Sequence, residues 1–290
     1  MNSQSLRNSL FINTIVLGGA PEQKISAARA AGFDQVELWR QDVDAHIGSP
    51  QAFGSWIRRQ SVGLTDYQII RDFEGAPGDV RESKHAAALI ELDTAVKIGA
   101  TTVLTTASSD PRCIATRIDE DMRWLAREAA ARQLKIAYEN LAWSTVNFTL
   151  TAAWALVQRL DEPNLGIVID DFHIFARGRD ARDLEGIPVD RIYRVQLSDL
   201  NLDQLCDPAH PDYLEQLRET ARHRRVLPGY GQFPIETILE PLRAGNYSGP
   251  IGIEVFNDEM KAQDPQVVAR KAISALKSVW LRQKFSPIER

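Results

Sequence analysis

Cysteine and long apolar runs are both scarce in this 290-residue sequence. The two cysteines, Cys113 and Cys206, lie far apart and form no C-x-x-C pattern, which argues against a disulfide scaffold or a cysteine-based zinc site. No apolar stretch approaches the roughly 20 residues that a membrane-spanning helix needs, and the early run LFINTIVLG fits a strand better than a signal sequence. We therefore expect a cytoplasmic protein with reduced thiols and no membrane partner.

Basic residues are fewer than acidic residues in this chain. The chain carries 34 lysines and arginines against 39 acidic residues, a net charge of −5, so it has no electrostatic footprint for nucleic acid. No G-x-G-x-x-G pattern follows the first apolar run, which argues against a dinucleotide cofactor. With 44% apolar and 25% charged residues, the composition is that of an ordinary globular enzyme.

Eight short apolar runs alternate with amphipathic segments of helical spacing along the chain. The runs occupy residues 10–18, 35–39, 63–70, 101–108, 135–140, 165–171, 192–199 and 250–258, and a last helix is expected over 264–284. Eight strand–helix units at this length favour a closed (β/α)8 TIM barrel over an open doubly wound sheet. We predict one α/β domain over residues 1–290, with a loop and one helix over the irregular segment 201–225.

In each of the last four runs, an oxygen-bearing side chain follows the apolar residues at the expected strand tip: Glu139, Asp170, Gln196 and Glu254. In a barrel, the C-terminal ends of all strands point to the same face, and strands five to eight are neighbours. Side chains alternate along a strand between the barrel interior and the helix layer. If these four side chains point inward, the bulky apolar residues next to them in each strand face the helices. Buried charges need a partner, and three carboxylates with one amide suit a divalent cation that prefers oxygen ligands. The pattern therefore predicts a metal site.

Several longer motifs carry a family resemblance. YENLAW, PNLGIVIDDFH, VQLSD, the R-x-x-P-G-x-G pattern of Arg225–Gly231, and IGIEVFND together resemble the xylose-isomerase-like barrels, a group of sugar phosphate isomerases, epimerases and related dehydratases. AGFDQVEL at 31–38 and RDFEG at 71–75 extend the similarity over nearly the whole chain. The resemblance implies a TIM barrel with metal ligands at the ends of strands five to eight.

Gln196 stands where many members of this superfamily have a histidine. A glutamine there, with D-x-x-H after strand six and RDFEG after strand three, is similar to the bacterial 3-dehydroshikimate dehydratases. The resemblance implies Mg²⁺, Mn²⁺ or Co²⁺ as the cofactor, with Zn²⁺ as a further option. Asp171 directly follows Asp170 and leaves two candidates for one ligand, although strand alternation and the D-x-x-H spacing both favour Asp170.

Further site residues follow from the same motifs. His173 matches the dehydratase histidine, and we expect an imidazole with a pKa near neutrality that transfers a proton. Glu37, at the tip of the second strand, is a candidate acid or base acting from behind the ligands, or an ion-pair partner. Arg71 and Arg225 are candidates to hold a substrate carboxylate, and Trp143 to wall the pocket.

Two further arginines lie just before the R-x-x-P-G-x-G pattern, and we assign them no role in the site. Arg222 matches a position in a dehydratase-like S-R-H-x-R stretch, but we interpret both Arg222 and Arg224 as surface charges. Two departures from the dehydratase pattern bear on the substrate: strand two continues as ELWRQDV rather than something nearer EIFENDL, and Asp171 replaces a small residue.

The resemblance implies a metal-dependent lyase that dehydrates 3-dehydroshikimate to protocatechuate. The cation would polarise the substrate carbonyl, a base such as His173 would remove the adjacent proton, and an acid would assist loss of the hydroxyl. The sequence leaves three alternatives open: a sugar or keto-acid isomerase or epimerase resembling hydroxypyruvate isomerase, an inosose dehydratase, or a non-catalytic sugar-acid binding barrel. Each takes a small hydroxylated carboxylate or sugar-like partner, and homo-oligomerisation stays open as well.

Overall fold

The strands close into a barrel in chain order. The computed structural model describes residues 8–281. Eight parallel strands pair with their sequence neighbours, and β8 pairs with β1 to close the ring. They are β1 Leu10–Asn13, β2 Gln35–Trp39, β3 Gly63–Ile70, β4 Thr102–Thr106, β5 Lys135–Glu139, β6 Leu165–Asp170, β7 Ile192–Leu197 and β8 Ile251–Ile253. The predicted TIM barrel is confirmed.

Helices fill the connections between the strands. They are α1 Pro21–Ala31, α2 Arg40–Ala45, α3 Pro50–Arg59, α4 Arg81–Ile98, α5 Ile118–Ala130, α6 Leu150–Leu160, α7 Asp171–Phe175, α8 Tyr213–His223, α9 Glu236–Ala244, α10 Asp258–Lys261 and α11 Pro265–Trp280. Gly32 and Gly99 end α1 and α4 with left-handed φ angles of 96° and 85°, which glycine adopts without strain. No helix within residues 8–281 is long and apolar enough to cross a bilayer.

Alternation along the strands separates two apolar regions. Ile136 and Tyr138 of β5 belong to the large core packed against the helices. Ala137, between them, forms a small separate cluster with Leu104 and Val168, on the opposite face of the strands. The polar strand ends share the inward direction of Ala137, as the sequence predicted.

The strand boundaries differ from the prediction at both ends of the barrel. β1 stops at Asn13 because its side chain accepts a hydrogen bond from the Ile15 N–H and starts a short 3-10 turn, so residues 14–18 are not strand. β8 ends at Ile253, which leaves Glu254 just beyond it. The predicted loop at 201–225 does contain one helix, α8. Residues 282–284 of the predicted last helix, and the first seven residues, lie outside the described part.

Candidate metal centre and active-site cavity

Four polar side chains meet at the C-terminal mouth of the barrel. Glu139 ends β5, Asp170 ends β6, Gln196 pairs with Asp170 in the strand register, and Glu254 follows β8. None of the four is more than 5% exposed. The Nη1 atom of Arg225 lies 2.8 Å from Asp170 and 3.6 Å from Glu254, so these two carboxylates face one guanidinium. Asp170 is therefore the neighbour of Gln196 in the sheet and shares one guanidinium with Glu254.

Asp171, the other candidate at this strand end, is turned away from the group. Its Oδ1 atom accepts hydrogen bonds from the backbone N–H and the hydroxyl of Ser198, at 2.9 and 3.1 Å. Asp170 instead lies with Glu139 and His173 so that one possible ligand atom of each is within 4.8 Å of the others. Asp170, and not Asp171, therefore faces Glu139 and His173.

The clustered carboxyl groups disturb one another. Burial raises the pKa of Glu139 well above its ordinary value, and the charges of Glu254 and Asp170 raise it further. Burial likewise raises the pKa of Glu254 to about 8, with a contribution from Asp170. Asp170 is pushed upward by burial too, but Arg225 and His173 hold its pKa below the ordinary value. A divalent cation would relieve this repulsion.

Two buried oxygens in the group lack hydrogen-bond partners among the described residues. They are Oε1 of Glu139 and Oε1 of Gln196. A buried oxygen without a donor costs roughly 1–3 kcal/mol, so its persistence calls for a ligand. Carboxylate and amide oxygens are the donors that Mg²⁺ and Mn²⁺ prefer. The residues at this site therefore fit a hard divalent cation.

His173 lies beside this group on α7, fully buried, with Nε2 at 3.3 Å from Asp170 and 4.0 Å from Glu139. Its Nδ1 atom accepts the backbone N–H of Ala142 at 3.1 Å, so the neutral ring carries its proton on Nε2. Burial lowers the pKa of the imidazole to about 4. The expected pKa near neutrality is therefore wrong, because the ring is removed from water. With its proton on Nε2, the neutral ring offers an N–H group, and no acceptor nitrogen, on the side of the strand-end carboxylates.

Glu37 lies under the ligand group and does not line the cavity. Its carboxylate is fully buried and forms an ion pair with Arg194 at 2.6 Å, and Arg194 pairs on its other side with Asp66, also at 2.6 Å. Gln196 Nε2 donates to both oxygens of Glu37 at 3.1 Å. Burial raises the pKa of Glu37, and the charge of Arg194 opposes that shift.

The segment after β7 carries Arg225 into the site. Asp199 and Val226 exchange two backbone hydrogen bonds, and the Asp199 carboxylate accepts the N–H groups of Gly229, Gly231 and Phe233 at 2.8 to 2.9 Å. The R-x-x-P-G-x-G pattern is thus a loop tied to the end of β7. Arg225 is 2% exposed and donates to Asp170, so its guanidinium is already committed to a proposed ligand.

A cavity of about 180 Å³ borders this group, and Glu139 and Glu254 are the two proposed ligands that line it. Its lining includes Trp39, Arg71, Glu139, Trp143, His173, Arg222, Arg225 and Glu254. The ring of Trp143 stands edge-on to His173 at 5.1 Å, as one wall of the cavity. Arg71 stacks over Trp39 at 5.4 Å, and its pKa is lowered by burial and then by the nearby charge of Arg222.

Arg71 and Arg222 are two cations that face the same cavity. No carboxylate lies within 4.0 Å of either guanidinium in the described part of the chain. The interpretation of Arg222 as a surface charge is wrong in one respect: although the residue is solvent-exposed, it lines the cavity. Two unpaired guanidiniums beside each other attract an anion, and a carboxylate fits their planar N–H groups.

Sequence reasoning missed three residues of the buried layer under the ligands: Asn13, Asp66 and Arg194. Arg194 could have been found, because it precedes Gln196 by two positions in β7 and so shares its inward direction. Its acidic partners come from β2 and β3, however, and no local pattern indicates those pairs. Asn13 was interpreted as part of a longer first strand.

Comparison with known proteins places these features in a wider group. The model of the xylose isomerase-like TIM barrel family matches residues 25–279. A 3-dehydroshikimate dehydratase of Pseudomonas aeruginosa is 32% identical over 280 residues, covering 94% of this chain and 42% of that protein. A protein of the same name from Pseudomonas putida is 30% identical, covering 96% of this chain and 44% of its own length. The chain thus spans less than half the length of these curated relatives.

Solved structures give the same fold. A xylose isomerase-like TIM barrel/4-hydroxyphenylpyruvate dioxygenase fusion protein matches with a TM-score of 0.86 and 31% identity, over 98% of this chain and 45% of that one. The IolI protein, solved with a zinc atom bound, matches with a TM-score of 0.80 at 18% identity, over 94% of this chain and 98% of that one. At that identity, the second match supports the fold alone.

Proposed function

The chain belongs to the xylose isomerase-like TIM barrel family, and from that membership we propose that it is a divalent-metal-dependent lyase that dehydrates 3-dehydroshikimate to protocatechuate. One observation carries the proposal: a buried group of three carboxylates and one amide borders a cavity that Arg71 and Arg222 line. Within residues 8–281, two oxygens of the group lack a hydrogen-bond partner and neither arginine has a carboxylate partner. The Pseudomonas relatives support the choice of substrate, because both carry the dehydratase name.

We propose Glu139, Asp170, Gln196 and Glu254 as the residues that would hold the cation. The donors are all oxygen atoms, which favours Mg²⁺, Mn²⁺ or Co²⁺ over Zn²⁺. When bound, the cation would supply Lewis-acid chemistry at the substrate carbonyl. Arg225 would keep the Asp170 carboxylate in place, since it donates to Oδ2 at 2.8 Å.

Arg71 and Arg222 are proposed to bind the substrate carboxylate. Within residues 8–281 neither guanidinium has a carboxylate partner, whereas Arg225 is already engaged with Asp170. A carboxylate held by both arginines would leave the ring between Trp39 and Trp143 and direct its oxygens toward the ligand group. The substrate we propose is therefore a small hydroxylated ring that carries one carboxylate.

His173 is proposed as a neutral hydrogen-bond donor to a substrate oxygen. The proton on Nε2 and the low pKa both support this role, which other enzymes assign to neutral imidazoles that polarise a carbonyl. Service as the base, which the sequence favoured, would require the ring to release the Ala142 N–H first. The role of His173 is tested in the Discussion.

The experiment that tests the proposed reaction is direct. Purified protein freed of metal with a chelator is supplied with Mg²⁺, Mn²⁺ or Co²⁺ and with 3-dehydroshikimate, and the ultraviolet absorbance of the aromatic product is followed. Appearance of protocatechuate, verified by mass, supports the lyase. A protein that is inert toward this compound but interconverts a keto sugar is an isomerase instead. A protein that binds such compounds without turnover is a binding barrel.

The composition of the chain supports proposals on its domain organisation, its location and its partners. We propose that residues 1–290 form one domain, that the protein works in the cytoplasm, and that nucleic acid and membranes are not its partners. The free thiols of Cys113 and Cys206 and the net charge of −5 support these statements.

A further inference from the structure

A chain of buried hydrogen bonds runs beneath the ligand group, and its direction is fixed at Asn13. The Oδ1 atom of Asn13 accepts from Trp39 Nε1 at 2.6 Å and from the Ile15 N–H at 3.0 Å, two groups that can only donate. The Nδ2 atom must therefore point the other way. It donates to Glu254 Oε1 at 2.7 Å and to Glu37 Oε2 at 3.1 Å.

Both oxygens of Glu37 have a partner on the side away from Gln196. Oε1 forms an ion pair with Arg194, whose Nε lies 2.6 Å away without forming a hydrogen bond, and Oε2 accepts from Asn13. A carboxylate that is ionised against Arg194 offers only acceptor atoms. The side-chain amide of Gln196 lies 3.1 Å from the same two oxygens. Because both oxygens act as acceptors, the amide group that faces Glu37 must be the NH₂, and the Gln196 carbonyl oxygen must face away from it.

That carbonyl oxygen is buried and has no hydrogen-bond partner among the described residues, and Gln196 stands beside Asp170 in the strand register. We infer that Glu37 is a positioning residue, which turns the carbonyl oxygen of Gln196 toward the cation and, through Asn13, holds Glu254 in place. The inference rests on the proposed metal site. It replaces the catalytic role that the sequence suggested for Glu37.

A simpler explanation would make Glu37 only the counter-charge of Arg194. Asp66 provides a matched control, because it is equally buried and pairs with the same guanidinium at 2.6 Å. No hydrogen bond joins Asp66 to Gln196 or Asn13 among the described residues. Loss of Asp66 therefore removes a counter-charge without affecting the orientation of the amide.

Glu37→Gln should weaken the hold on the amide of Gln196. Arg194 and Asn13 contact different oxygens of Glu37, so the single oxygen of the new side chain can face only one of them. Its NH₂ takes the place of the other oxygen, 3.1 Å from Gln196 Nε2, where it repels the Gln196 NH₂ and favours the orientation that turns this NH₂ toward the cation. The double variant E37Q/Q196E restores an acceptor at position 196 and with it an oxygen ligand. If Glu37 acted only as the counter-charge of Arg194, the second substitution would not restore Mn²⁺ affinity, because Arg194 would still lack the charge of Glu37.

The test is a calorimetric titration of each metal-free protein with Mn²⁺ alone, with thermal unfolding measured in parallel. We expect E37Q to bind Mn²⁺ about 10–100-fold more weakly, the usual effect of removing a residue that orients a ligand. We expect E37Q/Q196E to recover most of the affinity. We expect Asp66→Asn to stay within about threefold of the wild type even though its unfolding temperature falls.

The outcomes separate this inference from the proposed function. Wild-type protein that binds no Mn²⁺ overturns the metal site and this inference with it. If the wild type binds Mn²⁺ and E37Q binds it with equal affinity, this inference alone is overturned. The same holds if Asp66→Asn loses as much Mn²⁺ affinity as E37Q. If E37Q does not fold, Glu37→Asp carries the test: it keeps the charge near Arg194 but shortens the reach to Gln196, and unchanged Mn²⁺ affinity would overturn the inference.

Discussion

The neutral state of His173 leads to a prediction that separates a hydrogen-bond donor from a base. Its Nδ1 atom is occupied by the Ala142 N–H, its proton lies on Nε2, and burial lowers its pKa to about 4. Glutamine places an N–H donor at a similar distance from the backbone but cannot accept a proton. His173→Gln should therefore retain part of the activity, whereas His173→Ala should lower kcat by about 10²–10³-fold, the usual loss for a donor to developing charge.

The assay is steady-state turnover of 3-dehydroshikimate with saturating Mn²⁺, over pH 5 to 9. The imidazole is neutral at every pH above about 4, so kcat/KM should show no inflection from His173 in this range. His223, an exposed histidine outside the cavity, is the control, and His223→Gln should turn over normally. The donor role would be refuted if His173→Gln were as inactive as His173→Ala and kcat/KM of the wild type fell as the pH dropped below about 6.5. That result would show that His173 acts as the base.

Three further predictions follow from the cavity and its surroundings. Arg222→Ala should raise the KM for 3-dehydroshikimate about 10–100-fold with a smaller change in kcat, since a charged hydrogen bond contributes roughly 1.5–3 kcal/mol; an unchanged KM would remove Arg222 from the carboxylate site. Gln196→His should keep metal binding but shift preference toward Zn²⁺ and lower turnover, and competition between Zn²⁺ and Mg²⁺ measures this. Burial raises the pKa of Glu74 to about 7, so the folded protein favours the protonated carboxyl group. The free energy of unfolding should therefore fall progressively as the pH rises from about 4.5 to about 7 and Glu74 loses its proton. Glu74→Gln should remove that part of the pH dependence in urea unfolding of the metal-free protein, and parallel curves for both proteins would contradict the pKa.

The fold and the positions of the strand-end side chains could be predicted because both depend on local patterns. In each of the last four apolar runs, the polar residue lies at or next to the strand end, and barrel geometry brings neighbouring strand ends together. The tips of β5 and β6 needed only the alternation of side chains to place Glu139 and Asp170 inward. No long-range information entered these predictions.

The layer beneath the ligands could not be predicted in the same way. Arg194 lies inside the barrel, where an apolar side chain is the usual expectation, and its buried position depends on two carboxylates from distant strands. Arg222 lines the cavity because the segment that carries α8 is tied to β7 through Asp199, a set of contacts over about 30 residues that no local pattern reveals. The pKa of His173 likewise depends on burial by the assembled fold.

One measurement tests the central claim, that four strand-end side chains hold a single cation on which turnover depends. Chelator-treated protein is titrated with Mn²⁺ while bound metal and formation of the aromatic product are recorded together. We expect activity to be absent without metal and to rise in step with occupancy until one Mn²⁺ is bound per chain. We also expect that Glu254→Ala neither binds the ion tightly nor regains turnover. Full activity in the chelated protein, or an active Glu254→Ala variant, would contradict it.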